Sequence, residues 1–121
     1  MKDDILAFLP LTHTELQILL ALAGGERHGY AIMQEIIEQT EGRLRVGPGS
    51  LYGTIKRLLA TALIIETAER SDPNLNDERR RYYKMTEFGR KVLAAEIRNL
   101  EQVVELARAK RVYPRARTSP A

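Results

Sequence analysis

The chain has 121 residues, of which 44% are hydrophobic and 29% charged, with a formal net charge of +3 and neither cysteine nor tryptophan. That length suits one core with an appendage and not two independent cores. No apolar run approaches the roughly 20 residues needed to cross a bilayer, and the lack of cysteine excludes disulfides, thiolate nucleophiles and Cys-based zinc sites. Met1-Lys2-Asp3-Asp4 lacks the basic-then-apolar build of a secretion signal, so a soluble cytoplasmic protein with no membrane partner is expected. Charge is unevenly spread. Residues 1–41 hold two basic side chains against seven acidic, a net of −5, whereas residues 42–121 hold seventeen against nine, a net of +8. Such a basic half points either to a polyanionic partner or to a lopsided solvated surface.

Ile5, Leu6, Phe8 and Leu9 form a short apolar stretch before Pro10, expected to pack on the last helix. The first clear helix starts at Thr12, where Thr12-His13-Thr14-Glu15 has capping-box spacing, with Leu11 and Leu16 placed as a hydrophobic staple. Its apolar positions Leu16, Leu19, Leu20 and Ala23 follow the helical period until Gly24-Gly25. A second helix is predicted from about Gly29 to Glu41, its stripe running through Tyr30, Met33, Ile36, Ile37 and Thr40, with Gly42 as the C-terminal glycine. Pro48 opens a third helix, reaching about Thr61, because its missing N–H costs nothing at a first position. There Leu51, Ile55, Leu58 and Leu59 form the buried stripe, leaving Ser50, Gly53, Thr54, Lys56 and Arg57 outward.

Leu63-Ile64-Ile65 running into Glu66-Thr67-Ala68 reads as a strand, and Arg79 to Met85 as its returning partner, with Arg81, Tyr83 and Met85 on one face. Pro73, Asn74, Asn76 and Asp77 mark a long tip between them. From Thr86, a good N-cap, the last helix is predicted to reach about Lys110, roughly 36 Å at 1.5 Å per residue. Leu93, Ile97, Leu100, Val104 and Ala107 repeat at four, three, four and three, the period of a coiled-coil seam, and Val92, Val103 and Leu106 widen it. The stripe either packs on its own domain or serves dimerisation; the helix outlasts the surface available, which favours a partner.

Three helices, a hairpin and a long terminal helix define the expected class: mainly α with a small β-hairpin, a winged helix-turn-helix with a C-terminal dimerisation helix. Residues 1–86 would form the DNA-binding domain, with 1–11 an apolar arm, 87–112 the dimerisation helix and 113–121 a flexible tail. In such a module the third helix enters the major groove and the wing follows the backbone. The expected contacts to double-stranded DNA are Ser50, Tyr52, Gly53, Thr54, Lys56, Arg57, Arg79 and Arg81. Ser50 and the first-turn N–H groups suit phosphate, the cations suit phosphate or a guanine edge, and Gly53 permits close approach. For Tyr52 a phosphate contact and a packing role stand level, and the run Arg79-Arg80-Arg81 reads either as a phosphate clamp or as a solvated strand edge.

The segments His28-Gly29-Tyr30-Ala31-Ile32, Gly49-Ser50-Leu51-Tyr52-Gly53-Thr54-Ile55-Lys56-Arg57-Leu58, Leu63-Ile64 and Arg81-Tyr82-Tyr83-Lys84-Met85-Thr86-Glu87-Phe88-Gly89 resemble, in order and spacing, the PadR family of transcriptional regulators over residues 12 to 100. The resemblance implies a homodimeric, usually repressing regulator that holds a palindromic operator, in the subgroup with a single C-terminal helix. It also permits a small apolar effector at the dimer interface, although no tryptophan is present for stacking. Two departures stand out. Ala62 occupies a position where the resemblance implies glycine, and Asp72, Asp77 and Glu78 at the wing tip would be repelled by phosphate, which moves the expected wing contacts toward Arg79 and Arg81. The alternative function is a winged-helix module for protein–protein association without nucleic acid.

No metal or other cofactor is expected. His13 and His28 are separated by a helix and lack neighbouring ligands, and His28 is better placed to bond backbone at the start of the second helix. Gly47-Pro48-Gly49-Ser50 lacks the Gly-Lys-Ser/Thr ending of a nucleotide loop. No nucleophile–base pair is recognisable, so no enzyme is expected.

Overall fold

Local capping chemistry sets the helix starts. In the computed structural model, which describes residues 2–67 and 81–114, helix α1 spans Lys2–Leu6 and α2 spans His13–Ala23. The Thr12 capping box closes as its spacing predicts: Glu15 N donates to Thr12 Oγ1 at 3.1 Å and Thr12 N donates to Glu15 Oε1 at 2.8 Å. A two-residue strand β1, Arg27–His28, leads into α3, Gly29–Gln39, where Ala31 N donates to His28 Nδ1 at 3.1 Å, the backbone role expected of that histidine. Helix α4 spans Pro48–Ala60 with Pro48 at its first position. Strands β2, Ile64–Glu66, and β3, Tyr82–Met85, precede α5, Glu87–Ala109, which is 23 residues long and capped by Thr86.

The expected two-stranded hairpin is a three-stranded antiparallel sheet of order β1-β3-β2. Arg27 pairs with Tyr83 and His28 with Tyr82, while Ile64, Ile65 and Glu66 pair with Met85, Lys84 and Tyr83. Two residues are too few to show alternation, so β1 owes its existence to the free edge of β3. The tip residues Asp72, Asp77 and Glu78, together with Arg79 and Arg80, lie outside the described residues, as do residues 115–121 of the expected tail.

Helix α2 lies at the centre of the core, against α3, α4, α5 and β3. Contact on several sides buries Gln17, Ile18, Leu19, Ala21 and Leu22, a broader surface than the stripe of Leu16, Leu19, Leu20 and Ala23; Ala23 is in fact exposed. On α3 the buried face is turned toward Ile32 and Ile36, with Met33 and Ile37 half-buried and Tyr30 exposed. Ile18, Leu19, Ile32, Ile36, Leu51, Ile55, Leu58, Leu63, Ile64 and Val92 are fully buried, and burial of each aliphatic chain contributes about 1.5–3 kcal/mol.

The first turns of α5 belong to this core and are not a separate arm. Gly89, Val92, Leu93 and Glu96 are buried, Thr86 N donates to Leu63 O at 3.0 Å, and Thr86 Oγ1 donates to Ala62 O at 2.6 Å while accepting from Gly89 N at 2.9 Å. Gly89 lies so close to Leu63 that a Cβ would overlap its carbonyl. The N-terminal stretch packs on α5 as expected, with Phe8 edge-on to Phe88 at 5.5 Å. Leu11 N donates to the buried Glu96 carboxylate at 2.6 Å. Leu93, expected in the dimerisation seam, is therefore corrected to a core residue: it falls on the part of α5 that α2 already covers. Beyond Glu96 the helix projects, and Ile97, Leu100, Val103, Val104 and Leu106 are all exposed, with Ala107 half-exposed.

Three helices end alike. At α3, α4 and α5 the residues Glu41, Ala62 and Arg111 adopt φ of 53°, 62° and 60°. Each time that residue's N–H donates to the carbonyl three back (Glu38, Leu59, Arg108), and the next residue's to the carbonyl five back (Ile37, Leu58, Ala107). These are Schellman motifs. Gly42, expected as the left-handed glycine ending α3, is one position further on, at φ 78°, and Glu41 takes the cap position itself.

Candidate nucleic-acid interface

Helix α4 presents an open N-terminus. Gly47 provides no side-chain cap, Leu51 N makes the first bond back to Gly47 O at 2.9 Å, and residues 47–50 are exposed. The N–H groups of Gly49 and Ser50, ahead of that first bond, lie at the positive end of the helix beside the Ser50 hydroxyl. One turn on, Gly53 is exposed, and a Cβ there would meet nothing within 4 Å. An exposed glycine inside a helix costs about 1 kcal/mol relative to alanine. Nothing among the described residues requires it, which is the pattern expected where an outside body comes close to the backbone.

Lys56 and Arg57 are exposed on the same helix. Thr54, expected beside them, is corrected to a buried residue, only 3% exposed. It shares a buried face with its neighbour Ile55 and with Leu51 and Leu58, three and four residues away, which α2 and β2 cover. Its hydroxyl donates to Ser50 O at 2.9 Å and accepts from Arg57 Nη2 at 3.2 Å, so Thr54 steadies Arg57 from beneath. Tyr52 is half-buried with its ring against Gly29, where a Cβ would overlap it. Packing is thus an observed role of Tyr52.

Arg81, the residue just ahead of strand β3, reaches the same region. Tyr52, Ile55, Lys56 and Leu59 of α4 line one cleft of about 340 Å³ with Arg81 and Tyr83. The cations of the third long helix and of the returning strand therefore share one surface, with two tyrosines between them. Arg81 is half-exposed, and its Nε lies 3.5 Å from Glu66 Oε1. Glu66 had no sequence motif to mark it; only the strand register brings it beside Arg81. Among the described residues no three His, Cys, Asp or Glu side chains converge as metal ligands, and no helix is long and apolar enough to cross a membrane.

A second groove, of about 520 Å³, runs between the N-terminal stretch and α5 and is lined by Leu6, Leu9, Leu16, Leu100 and Val103, among others, with Glu96.

The model for the transcriptional regulator PadR-like family matches residues 18–95. A transcriptional regulator of Mycobacterium tuberculosis, Rv3488, is 39% identical over 89 residues, covering 73% of this chain and 76% of that protein. An uncharacterised 37.1 kDa protein in a Streptomyces fradiae transposon is 38% identical over 89 residues, and there the match spans 74% of this chain but 23% of the larger protein. Among solved structures, a transcriptional regulator from Clostridium thermocellum superposes with a TM-score of 0.67 at 22% identity, covering 90% of this chain and 95% of that one. Bacillus subtilis PadR, in complex with operator DNA, superposes at 0.62 and 22% identity over 73% of this chain and 48% of that one. At such identities the superpositions establish a shared fold, while the family match covers most of the described core. The chain belongs to the PadR-like family of transcriptional regulators, a family of regulators and not of enzymes.

Proposed function

We propose that this regulator is a homodimeric repressor that binds inverted-repeat double-stranded DNA in the cytoplasm, with α4 in the major groove and the base of the wing on the adjacent backbone. The observation that carries the reading is the cleft shared by Lys56 and Arg81, next to the uncapped N-terminus of α4 and the sterically unneeded Gly53. Ser50, Lys56, Arg57 and Arg81 would contact phosphate or base edges, with Tyr52 lining the cleft between them. Arg79 joins this set from its place two residues before Arg81. The operator DNA bound by Bacillus subtilis PadR supports the same use of the fold. Ile97, Leu100, Val104 and Ala107 on the projecting part of α5 would pair with a second copy, and the apolar groove beside them is the seat for a small apolar effector.

A duplex recovered by in vitro selection from a randomised pool tests the reading. Binding across a salt series should show a negative log–log slope of about 0.9 per phosphate neutralised. Replacing Lys56 and Arg57 together with alanine should weaken binding and flatten the slope by about 0.9 for each phosphate left without its cation. A flat salt dependence in the wild-type protein, or unchanged binding in the variant, would remove α4 from the interface. Capture of a protein partner with indifference to duplex DNA would instead support a protein-association module.

A further inference from the structure

The pairing of β2 with β3 sets Glu66 opposite Tyr83 and Ile64 opposite Met85. Residues directly opposite one another share a face of the sheet, and Arg81, two before Tyr83, lies on that face by the period of a strand. It is the face turned to α4, because Arg81 and Tyr83 line the cleft with Lys56. Glu66 thus stands at the rim of a cleft whose lining, among the described residues, carries two cations and no carboxylate, with its Oε1 3.5 Å from Arg81 Nε. Both side chains of the pair are roughly half-exposed. An ion pair that solvated adds little to folding, so the placement of this carboxylate has its main consequence elsewhere.

We propose that Glu66 limits the DNA affinity of this protein by competing with a backbone phosphate for Arg81. The inference rests on the reading of α4 and β3 as the DNA interface. A phosphate reaching the cleft must take the guanidinium from a carboxylate already beside it. Phosphate contacts carry no base information, so Glu66 lowers affinity for every sequence by a similar factor and leaves discrimination between operator and other DNA unchanged. The result is a regulator held off the duplex by its own surface, and hence more readily released.

The test compares full-length wild type, Glu66→Gln, Arg81→Ala and the double variant on a mixed-sequence duplex and on a selected inverted-repeat duplex, across a salt series. Gln keeps the size of the side chain and an acceptor oxygen, and the site is exposed, so the fold is retained; thermal melting verifies this. Glu66→Gln should bind both duplexes about two- to fivefold more tightly at low salt, with the gain shrinking as salt screens the pair. In the Arg81→Ala background the gain should vanish. Equal binding by wild type and Glu66→Gln would overturn the proposal while leaving the DNA interface intact. The same gain with or without Arg81 would also overturn it, since Glu66 would then act by general repulsion. If wild type fails to bind any duplex, the DNA reading and this proposal fall together.

Discussion

Replacing Ala62 with glycine should raise the stability of the protein, although the change removes a methyl group. Ala62 sits at φ 62° in the turn that ends α4, its N–H donating to Leu59 O at 3.1 Å and the next N–H, of Leu63, to Leu58 O at 3.0 Å. Leu58 and Leu63, the two residues that close the motif, are each only 1% exposed, so the turn is held in place by the core and has no route to a relaxed backbone. A left-handed conformation costs a side-chain-bearing residue about 1–2 kcal/mol. Glycine avoids that cost but loses about 0.5–1 kcal/mol more chain entropy on folding. The difference leaves a net gain of about 0.5–1 kcal/mol, or a rise of roughly 2–4 °C in melting temperature for a domain of this size. Thermal unfolding followed by circular dichroism at one fixed protein concentration measures it. Glu41→Gly and Arg111→Gly relieve the same geometry at the ends of α3 and α5, and because the three turns bond to different carbonyls their effects should add. An unchanged or lower melting temperature for Ala62→Gly would refute the assignment of strain to this cap.

Gly89→Ala should destabilise the protein by about 1–3 kcal/mol or more, because the new Cβ would overlap a main-chain carbonyl, that of Leu63, and not a flexible side chain; a lowered urea midpoint with unchanged m-value is the expected result. Glu96→Ala should cost about 1.5–3 kcal/mol by leaving Leu11 N–H without its charged acceptor, whereas Glu96→Gln, which keeps an acceptor oxygen, should retain part of that stability; equal losses for the two would separate Glu96 from Leu11. Leu100→Lys combined with Val104→Lys, both on the projecting part of α5, should shift the sedimentation of the proposed homodimer toward the monomer while leaving far-UV circular dichroism unchanged; an unaltered mass would remove this part of α5 from the proposed pairing.

Features that depend on a few consecutive residues were legible in the chain. The Thr12 capping box, the Pro48 helix start, the Thr86 cap and the His28 contact to Ala31 all involve partners within three residues, so spacing alone specifies them. The cationic face of α4 was likewise readable, because Lys56 and Arg57 lie off the apolar stripe whichever element covers it. Thr54 and Leu93 were not readable in this way. Each sits at the margin of a periodic stripe, and whether a marginal position faces solvent or core depends on how widely the neighbouring elements wrap the helix.

The sequence by itself determined the order of the long helices and of the β2–β3 hairpin, the family and the chemistry available on the third long helix, since periodicity, caps and motif spacing are local quantities. Only the tertiary structure decided the third strand, the merging of the first turns of α5 into the core, and the meeting of Glu66 with Arg81 and of Arg81 with Lys56. Those arrangements join residues distant in the chain. They are set by strand register and by which faces exclude water together, neither of which is written in any single stretch of residues.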